Sequence, residues 1–139
     1  MLIHLKDWSI LNWLWHDAEL YTIKAKWLDN GSAVVYLRSK INPEEDRQPL
    51  FDLGITSQVV DVQFRNTWWL RSDLVGYNAD REVLVDWDTI EPSPLTEELQ
   101  DRGLAKNADL IHHRIRCSGG STFDVVFSDI WLETVQTEE

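Results

Sequence analysis

The stretch DLIHHRIRCSGGSTFDVVFSDIWLETV, residues 109–135, decides the fold, because it predicts two strands joined by a tight turn. Glycine favours turns, so we take Ser118-Gly119-Gly120 as the loop, a turn followed by a glycine bulge. The register follows from this loop: Ile115 lies opposite Phe123, His113 opposite Val125 and Ile111 opposite Phe127. The alternation slips after Phe127, which predicts a bulge near Ser128 and Asp129.

A first hairpin is predicted upstream. Residues 19–28 alternate apolar and polar side chains with the period of two that a half-buried strand requires. Asn30-Gly31 tolerates the positive φ angles of a type I′ turn, so we expect a two-residue loop there. This loop would place Trp27 opposite Val34 and Ala25 opposite Tyr36, with the apolar residues on one face.

The middle of the chain predicts two further strands. Residues 59–71 form the longest alternating segment, and its core-facing residues are expected to be Val60, Val62, Phe64, Trp68 and Leu70. Trp69 falls on the solvent-facing side, where it either meets a covering element or remains exposed. Residues 82–88 alternate in the same way, with Val83, Val85 and Trp87 toward the core. The polar run 40–49 is typical of an exposed loop, and residues 95–102 suit one or two helical turns.

The N-terminal segment predicts a helix. Apolar residues are too dense in residues 7–15 for an alternating strand, and Asp7 can serve as the N-cap. No two strands are separated by a long helical crossover, so the sheet should be antiparallel. We therefore expect an α+β fold, a mostly antiparallel sheet of about six strands with a short N-terminal helix packed on it, in a single domain spanning residues 1–139.

The composition limits the function. Thirteen basic and twenty-four acidic side chains give a net charge of -11, which argues against nucleic acid and against an anionic membrane, and allows a basic protein partner. Eight Trp residues indicate a heavily aromatic core or aromatics at a binding surface. The lone Cys117 makes no internal disulfide, and no signal-peptide pattern is present, so we expect a cytoplasmic location.

The most distinctive string lies between the helix and the first strand, where His16 is followed by Asp17 and Glu19. A His beside carboxylates can act as a general base or bind a metal. The alternative is that His16 and Asp17 end the helix and bond the turn, which is the commoner use of such residues. We treat the three as a motif of interest and assign no catalytic residue.

A second group contains His112, His113 and Cys117. On a strand, His113 and Cys117 share one face but lie roughly 13 Å apart, while His112 faces the other way. No metal site and no cofactor are therefore predicted. The Ser-Gly-Gly-Ser string that follows is typical of a turn and does not indicate a catalytic nucleophile.

Four residues are our candidates for partner binding. Glu44, Glu45 and Asp46 form an acidic run in the exposed loop, where they would meet a basic partner. Trp69 would supply an aromatic anchor if it remains exposed. The free edges of an open sheet also allow a homodimer.

The short aromatic helix, the string His16-Asp17-Ala18-Glu19-Leu20 and the strand that follows resemble small bacterial families with an HDAEL-like string near the N-terminus. Some of these look like immunity proteins of polymorphic toxin systems. The resemblance covers about twenty residues and the order of helix, hairpin, long strand and hairpin. It implies a cytoplasmic α+β domain that binds a partner, with no catalytic residues.

The patterns together favour a binding or interaction protein without enzymatic activity, immunity-like by its resemblance. Two alternatives stay open. The first is a small ligand-binding domain in which Trp residues line a pocket and stack on a sugar or another planar ligand. The second is an enzyme that uses His16 with Asp17 or Glu19, or the His112-His113 pair, which would require these side chains to converge in a cleft.

Overall fold

A computed structural model describes residues 2–44, 47–73, 83–103 and 109–135 of the chain. These residues form nine strands: β1 Leu2–Leu5, β2 Ala18–Trp27, β3 Ala33–Lys40, β4 Val59–Thr67, β5 Trp69–Asp73, β6 Val83–Thr89, β7 Ile111–Cys117, β8 Thr122–Phe127 and β9 Asp129–Val135. A 3₁₀ turn, Trp8–Ile10, precedes three helices: α1 Leu11–Trp15, α2 Gln48–Asp52 and α3 Pro94–Asp101. None of these helices is long and apolar enough to span a bilayer.

The strands form one antiparallel sheet in the order β1-β9-β4-β3-β2-β6-β7-β8-β5. The prediction of an α+β fold with a mostly antiparallel sheet is confirmed, but the described residues form nine strands and not about six. Two of the extra strands arise because the predicted strands at 59–71 and 121–135 are each broken into two. The third extra strand is β1, which is too short to show a period of two. β1 pairs with β9, where Leu5 lies opposite Ile130.

The break in the segment 59–71 places its two halves at different positions in the sheet. Asn66 adopts a left-handed conformation with φ 52°, and Thr67 Oγ1 donates to the carbonyl oxygen of Phe64 at 2.8 Å. β4 lies between β9 and β3, whereas β5 pairs only with β8 among the described strands. Since one residue links β4 to β5, the sheet must coil until its distant strands meet. The predicted core position of Leu70 is wrong: Leu70 is 36% exposed, and β5 is an edge strand among the described strands and is exposed along its length.

The interior of the coiled sheet holds the core, and α1 packs into it. The largest fully buried side chains include Trp15, Phe64, Phe123 and Phe127. The predicted N-terminal helix is confirmed as a 3₁₀ turn that continues into α1, and Asp7 caps it by accepting a hydrogen bond from the Ser9 N–H at 3.0 Å. Leu11 and Leu14 lie in the same apolar cluster as the sheet residues.

The two predicted hairpins have different outcomes. The β7–β8 register is confirmed at all three predicted pairs, and the break at Ser128 separates β8 from β9. In the β2–β3 hairpin the predicted register is wrong by one residue, since Trp27 lies opposite Ala33 and Ala25 opposite Val35. The loop contains three residues and not two: the Leu28 N–H donates to the Ser32 carbonyl at 2.9 Å, and Gly31 supplies the positive φ of 89°.

Three further predictions concern Val85, the run 40–49 and the helix near residues 95–102. The predicted core position of Val85 is wrong, because an irregularity between Leu84 and Asp86 reverses the alternation and buries Leu84 instead. The run 40–49 is only partly a loop, because Ile41 is buried and α2 begins at Gln48. The helix expected near residues 95–102 is confirmed as α3.

Candidate binding surfaces

A cleft lined by Trp side chains lies at the tip of the β2–β3 hairpin. Among the described strands, β6 pairs with β2 only at Ala18 and Glu19, so the rest of β2 is held by β3 alone. We call the β2–β3 hairpin the arm. The face of the arm that carries Ala25 and Trp27 lies against the bend between β4 and β5. The resulting cavity of about 190 Å³, which we call the Trp cleft, is lined by Ala25, Trp27, Ala33, Val35, Thr67, Trp68, Trp69 and Leu70.

The Trp cleft exposes a large apolar area. Trp27 is 78% exposed, Trp69 41% and Leu70 36%. Trp69, which the sequence left either covered or exposed, is therefore exposed. Clustered aromatic side chains at a surface cost free energy in water and are enriched where proteins bind partners. The sequence missed Trp27 as a surface residue because its alternation places it on the core-facing side of β2. Among the described strands, β6 does not extend along β2 as far as Trp27.

Three acidic residues, Asp17, Glu19 and Glu44, lie at the other end of the arm. Asp17 and Glu19 line a cavity of about 400 Å³ together with Lys40, Asn42 and Pro43, among other residues. Glu44 follows directly, exposed, with its N–H donating to Asn42 Oδ1 at 3.1 Å. Glu45 and Asp46 lie outside the described residues. The structure thus brings part of the His16 motif and the start of the acidic loop to one place, which we call the acidic end.

The acidic end and Trp69 do not form one patch. The arm runs from Ala33 at the Trp cleft to Lys40 at the acidic end, a distance of about 23 Å at the rise of a β-strand. His16 forms the C-cap of α1, and its Nδ1 lies 3.9 Å from Asp17 Oδ2 with both side chains more than half exposed. Asp17 has φ 53°, which turns the chain from α1 into β2. His16 and Asp17 therefore occupy the helix end and the turn.

A buried polar network joins α3 to the sheet, and sequence reasoning missed it. Ser93 Oγ lies 2.8 Å from His112 Nδ1, and His112 Nε2 lies 2.7 Å from Asp124 Oδ1. Arg114 Nε donates to the same Asp124 oxygen at 2.9 Å. The predicted register already set Arg114 opposite Asp124, but no sequence signal placed Ser93, which arrives from the connection before α3.

The order Ser, His, carboxylate resembles the array that activates a serine nucleophile. Here, however, Ser93 is only 7% exposed, and its Oγ also accepts the Thr96 N–H at 3.2 Å as the N-cap of α3. The residue after Ser93 is Pro94, which has no N–H to stabilise an oxyanion. With each of its members bonded, the network fastens α3 to β7 and β8.

His113 is buried on the opposite face of β7, as the alternation predicts. Its ring centroid lies 4.8 Å from that of Trp87, 4.9 Å from Phe127 and 5.0 Å from Trp8. Among the described residues, neither ring nitrogen has a hydrogen-bond partner. Burial, followed by the charge of His112, lowers the pKa of His113 to about 4. His113 is therefore a neutral aromatic core residue at pH 7.

The remaining site chemistry is limited. Among the residues that the structure describes, no group of three or more His, Cys, Asp or Glu side chains is arranged to hold a metal ion. Compared with protein-family models, with curated proteins and with solved structures, the chain matches none.

Proposed function

We propose that this protein acts by binding a partner protein and that the Trp cleft anchors the contact. The observation that carries the proposal is the exposure of Trp27, 78%, beside Trp69 and Leu70 in the same cleft. A Trp side chain contributes a large apolar area with few rotatable bonds, which is why Trp dominates the binding energy of many interfaces.

The size of the Trp cleft favours a protein partner over a free ligand. Its volume of about 190 Å³ lies below the roughly 300–1,000 Å³ of pockets that enclose small molecules. A cleft of this size accepts one apolar side chain of a partner, while the surrounding Trp rings exclude water from the contact. The ligand-binding alternative is therefore the weaker proposal for this surface.

The charge of the chain suggests the chemistry of the partner. With a net charge of -11, the protein would attract a basic partner at long range. The acidic end, where Asp17 and Glu19 lie near Glu44, would add to this attraction. A cytoplasmic, immunity-like protein that neutralises a basic toxin is the specific form of the proposal, and it rests on the resemblance of the His16 string.

The test is affinity capture from the native host with two matched variants. Trp27→Ala in the Trp cleft should abolish capture of a specific partner. Trp13→Ala should leave capture unchanged, because Trp13 is also exposed, 41%, but lies on α1. Raising the salt concentration should weaken capture of a basic partner. Equal capture by both variants would reject the Trp cleft as the anchor.

A further inference from the structure

The outer face of the β2–β3 arm carries a second, chemically different groove. Leu28, Val34 and Tyr36 line it, and their side chains alternate with those of the Trp cleft, so the two sites lie on opposite faces of the arm. A row of side chains crosses β1, β9, β4, β3 and β2 at paired positions: His4, Trp131, Gln63, Tyr36 and Lys24. The groove has a volume of about 510 Å³.

Arg65 is held rigidly in this groove. Its Nε and Nη2 donate to Gln63 Oε1 at 3.2 and 3.0 Å, and Gln63 is itself 4% exposed, with Nε2 donating to Glu133 Oε2 at 2.7 Å. The guanidinium carbon lies 4.6 Å from the ring centroid of Trp131, which stacks on His4 at 4.6 Å. Because its rotamer is fixed before any ligand arrives, Arg65 would lose little entropy on binding.

Two carboxylates on this face of the sheet, Asp129 and Asp61, are bonded to other groups. Asp129 also lines the groove, where its Oδ2 accepts from Asn66 Nδ2 at 3.0 Å and its Oδ1 lies 3.5 Å from His4 Nε2. Asp61 pairs with Arg38 through two hydrogen bonds of 2.9 Å. Within the described part of the chain, Arg65 makes no salt bridge, although acidic residues outnumber basic ones by twenty-four to thirteen in the whole sequence.

Two lysines add positive charge on the same face. Lys24 lies opposite Tyr36, with Nζ 5.6 Å from the ring centroid, and Lys26 lies opposite Val34. Both strand positions border the groove, since Tyr36 and Val34 line it. The outer face of the arm is therefore locally cationic in an acidic protein, and it combines an oriented guanidinium with the apolar surface of Leu28, Val34 and Tyr36.

We propose that this groove, the Arg65 groove, binds a small organic anion, an aromatic carboxylate. Its carboxylate would bond the edge of Arg65 that Gln63 leaves free, and its ring would lie against Tyr36 and Val34. An ionised donor paired with an ionised acceptor gives the strongest class of hydrogen bond in proteins. The volume of about 510 Å³ falls within the range of small-molecule pockets. This site is independent of the Trp cleft and of the proposed partner.

Benzoate, benzamide and inorganic phosphate are suitable probes. In a titration of the ¹⁵N-labelled protein, benzoate should shift the Arg65 Nε–H and Trp131 indole N–H resonances saturably, with a Kd on the order of 1 mM for so small a ligand. Benzamide has the same shape without the charge and should cause no saturable shift. Phosphate should bind more weakly, because it has no apolar part.

Two variants assign the effect to Arg65. Arg65→Gln should raise the Kd for benzoate at least about tenfold through the loss of the charged donor. Arg102→Gln is the charge-matched control, since Arg102 pairs with Glu98 on α3, and it should leave the Kd unchanged. The proposal is overturned if benzoate gives no saturable shift, if benzamide or phosphate binds as tightly, or if Arg65→Gln binds like the parent protein while its dispersed spectrum shows that it is folded.

Discussion

The β7–β8 hairpin and the β2–β3 arm have the same alternating pattern of apolar and polar residues, but they have different neighbouring strands. β7 and β8 lie between β6 and β5, so each has a strand on both sides. Most of β2 has only β3 beside it among the described strands. The comparison shows that alternation predicts a strand and its two faces, while the neighbouring strands decide whether the apolar face is covered.

Phe127 in the covered hairpin should show the largest effect on stability. Its ring lies 5.0 Å from that of Phe64 and 4.9 Å from that of His113, and it is fully buried. Phe127→Ala should therefore lower the free energy of unfolding by about 3–5 kcal/mol, because it leaves a cavity in the core. Urea denaturation followed by circular dichroism measures this. A loss below about 1 kcal/mol would show that the hairpin is not the core element described above.

His113 should make the same hairpin sensitive to acid. Its pKa in the folded protein is about 4, below the unfolded value of about 6.5, so the unfolded chain takes up the proton first. The free energy of unfolding is therefore unaffected by the protonation of His113 above pH 6.5. It decreases as the pH drops toward 4, by about 3 kcal/mol in all. Carboxylates also titrate in part of this window, so the comparison must be made against a variant.

The variant is His113→Phe. In the part of the chain that the structure describes, neither ring nitrogen of His113 has a hydrogen-bond partner. Phe should therefore keep the aromatic contacts, lose no hydrogen bond and be neutral or stabilising at pH 7. Denaturation of both proteins between pH 7 and pH 4 should show a stability difference that grows as the pH falls. A constant difference would mean that His113 does not titrate with a lowered pKa.

Ser93 should give an intermediate effect, because its hydroxyl serves both α3 and His112. Ser93→Ala removes the N-cap and leaves His112 Nδ1 buried without its partner, at a cost of about 1–3 kcal/mol. Asp7→Ala is the control, since the hydrogen bond by which Asp7 caps the 3₁₀ turn is exposed and its loss should cost less. If the two substitutions cost the same, the bond between Ser93 and His112 contributes nothing beyond capping.

The same comparison explains how much the sequence could predict. The β7–β8 register was predictable because the Ser118-Gly119-Gly120 loop and the apolar residues on both strands agree on a single alignment. The β2–β3 register was not, because Asp29, Asn30 and Gly31 support both a two-residue and a three-residue loop. The structure has the three-residue loop, in which Asn30 Oδ1 accepts a hydrogen bond from the Ser32 N–H at 3.0 Å.

The candidate sites were predictable only where local chemistry defines them. The exposure of Trp69 was one of two outcomes the alternation allowed, and the use of His16 and Asp17 at a helix end was the commoner reading of that string. The Trp cleft and the Arg65 groove were not predictable, because each joins residues from strands that are distant in sequence. Both depend on the bend at Asn66, whose left-handed backbone has no signal in the alternating pattern.

Trp27 should give the smallest effect on stability and so separates folding from function. Because Trp27 is 78% exposed, replacing it with Ala removes little buried apolar area. Trp27→Ala should therefore change the free energy of unfolding by no more than about 0.5 kcal/mol. The same substitution should abolish partner capture. This combination, loss of capture without loss of stability, is the result expected if Trp27 contacts the proposed partner and not the rest of the fold. A large loss of stability would instead show that Trp27 packs on the fold as a structural residue, and it would contradict the Trp cleft as a binding surface.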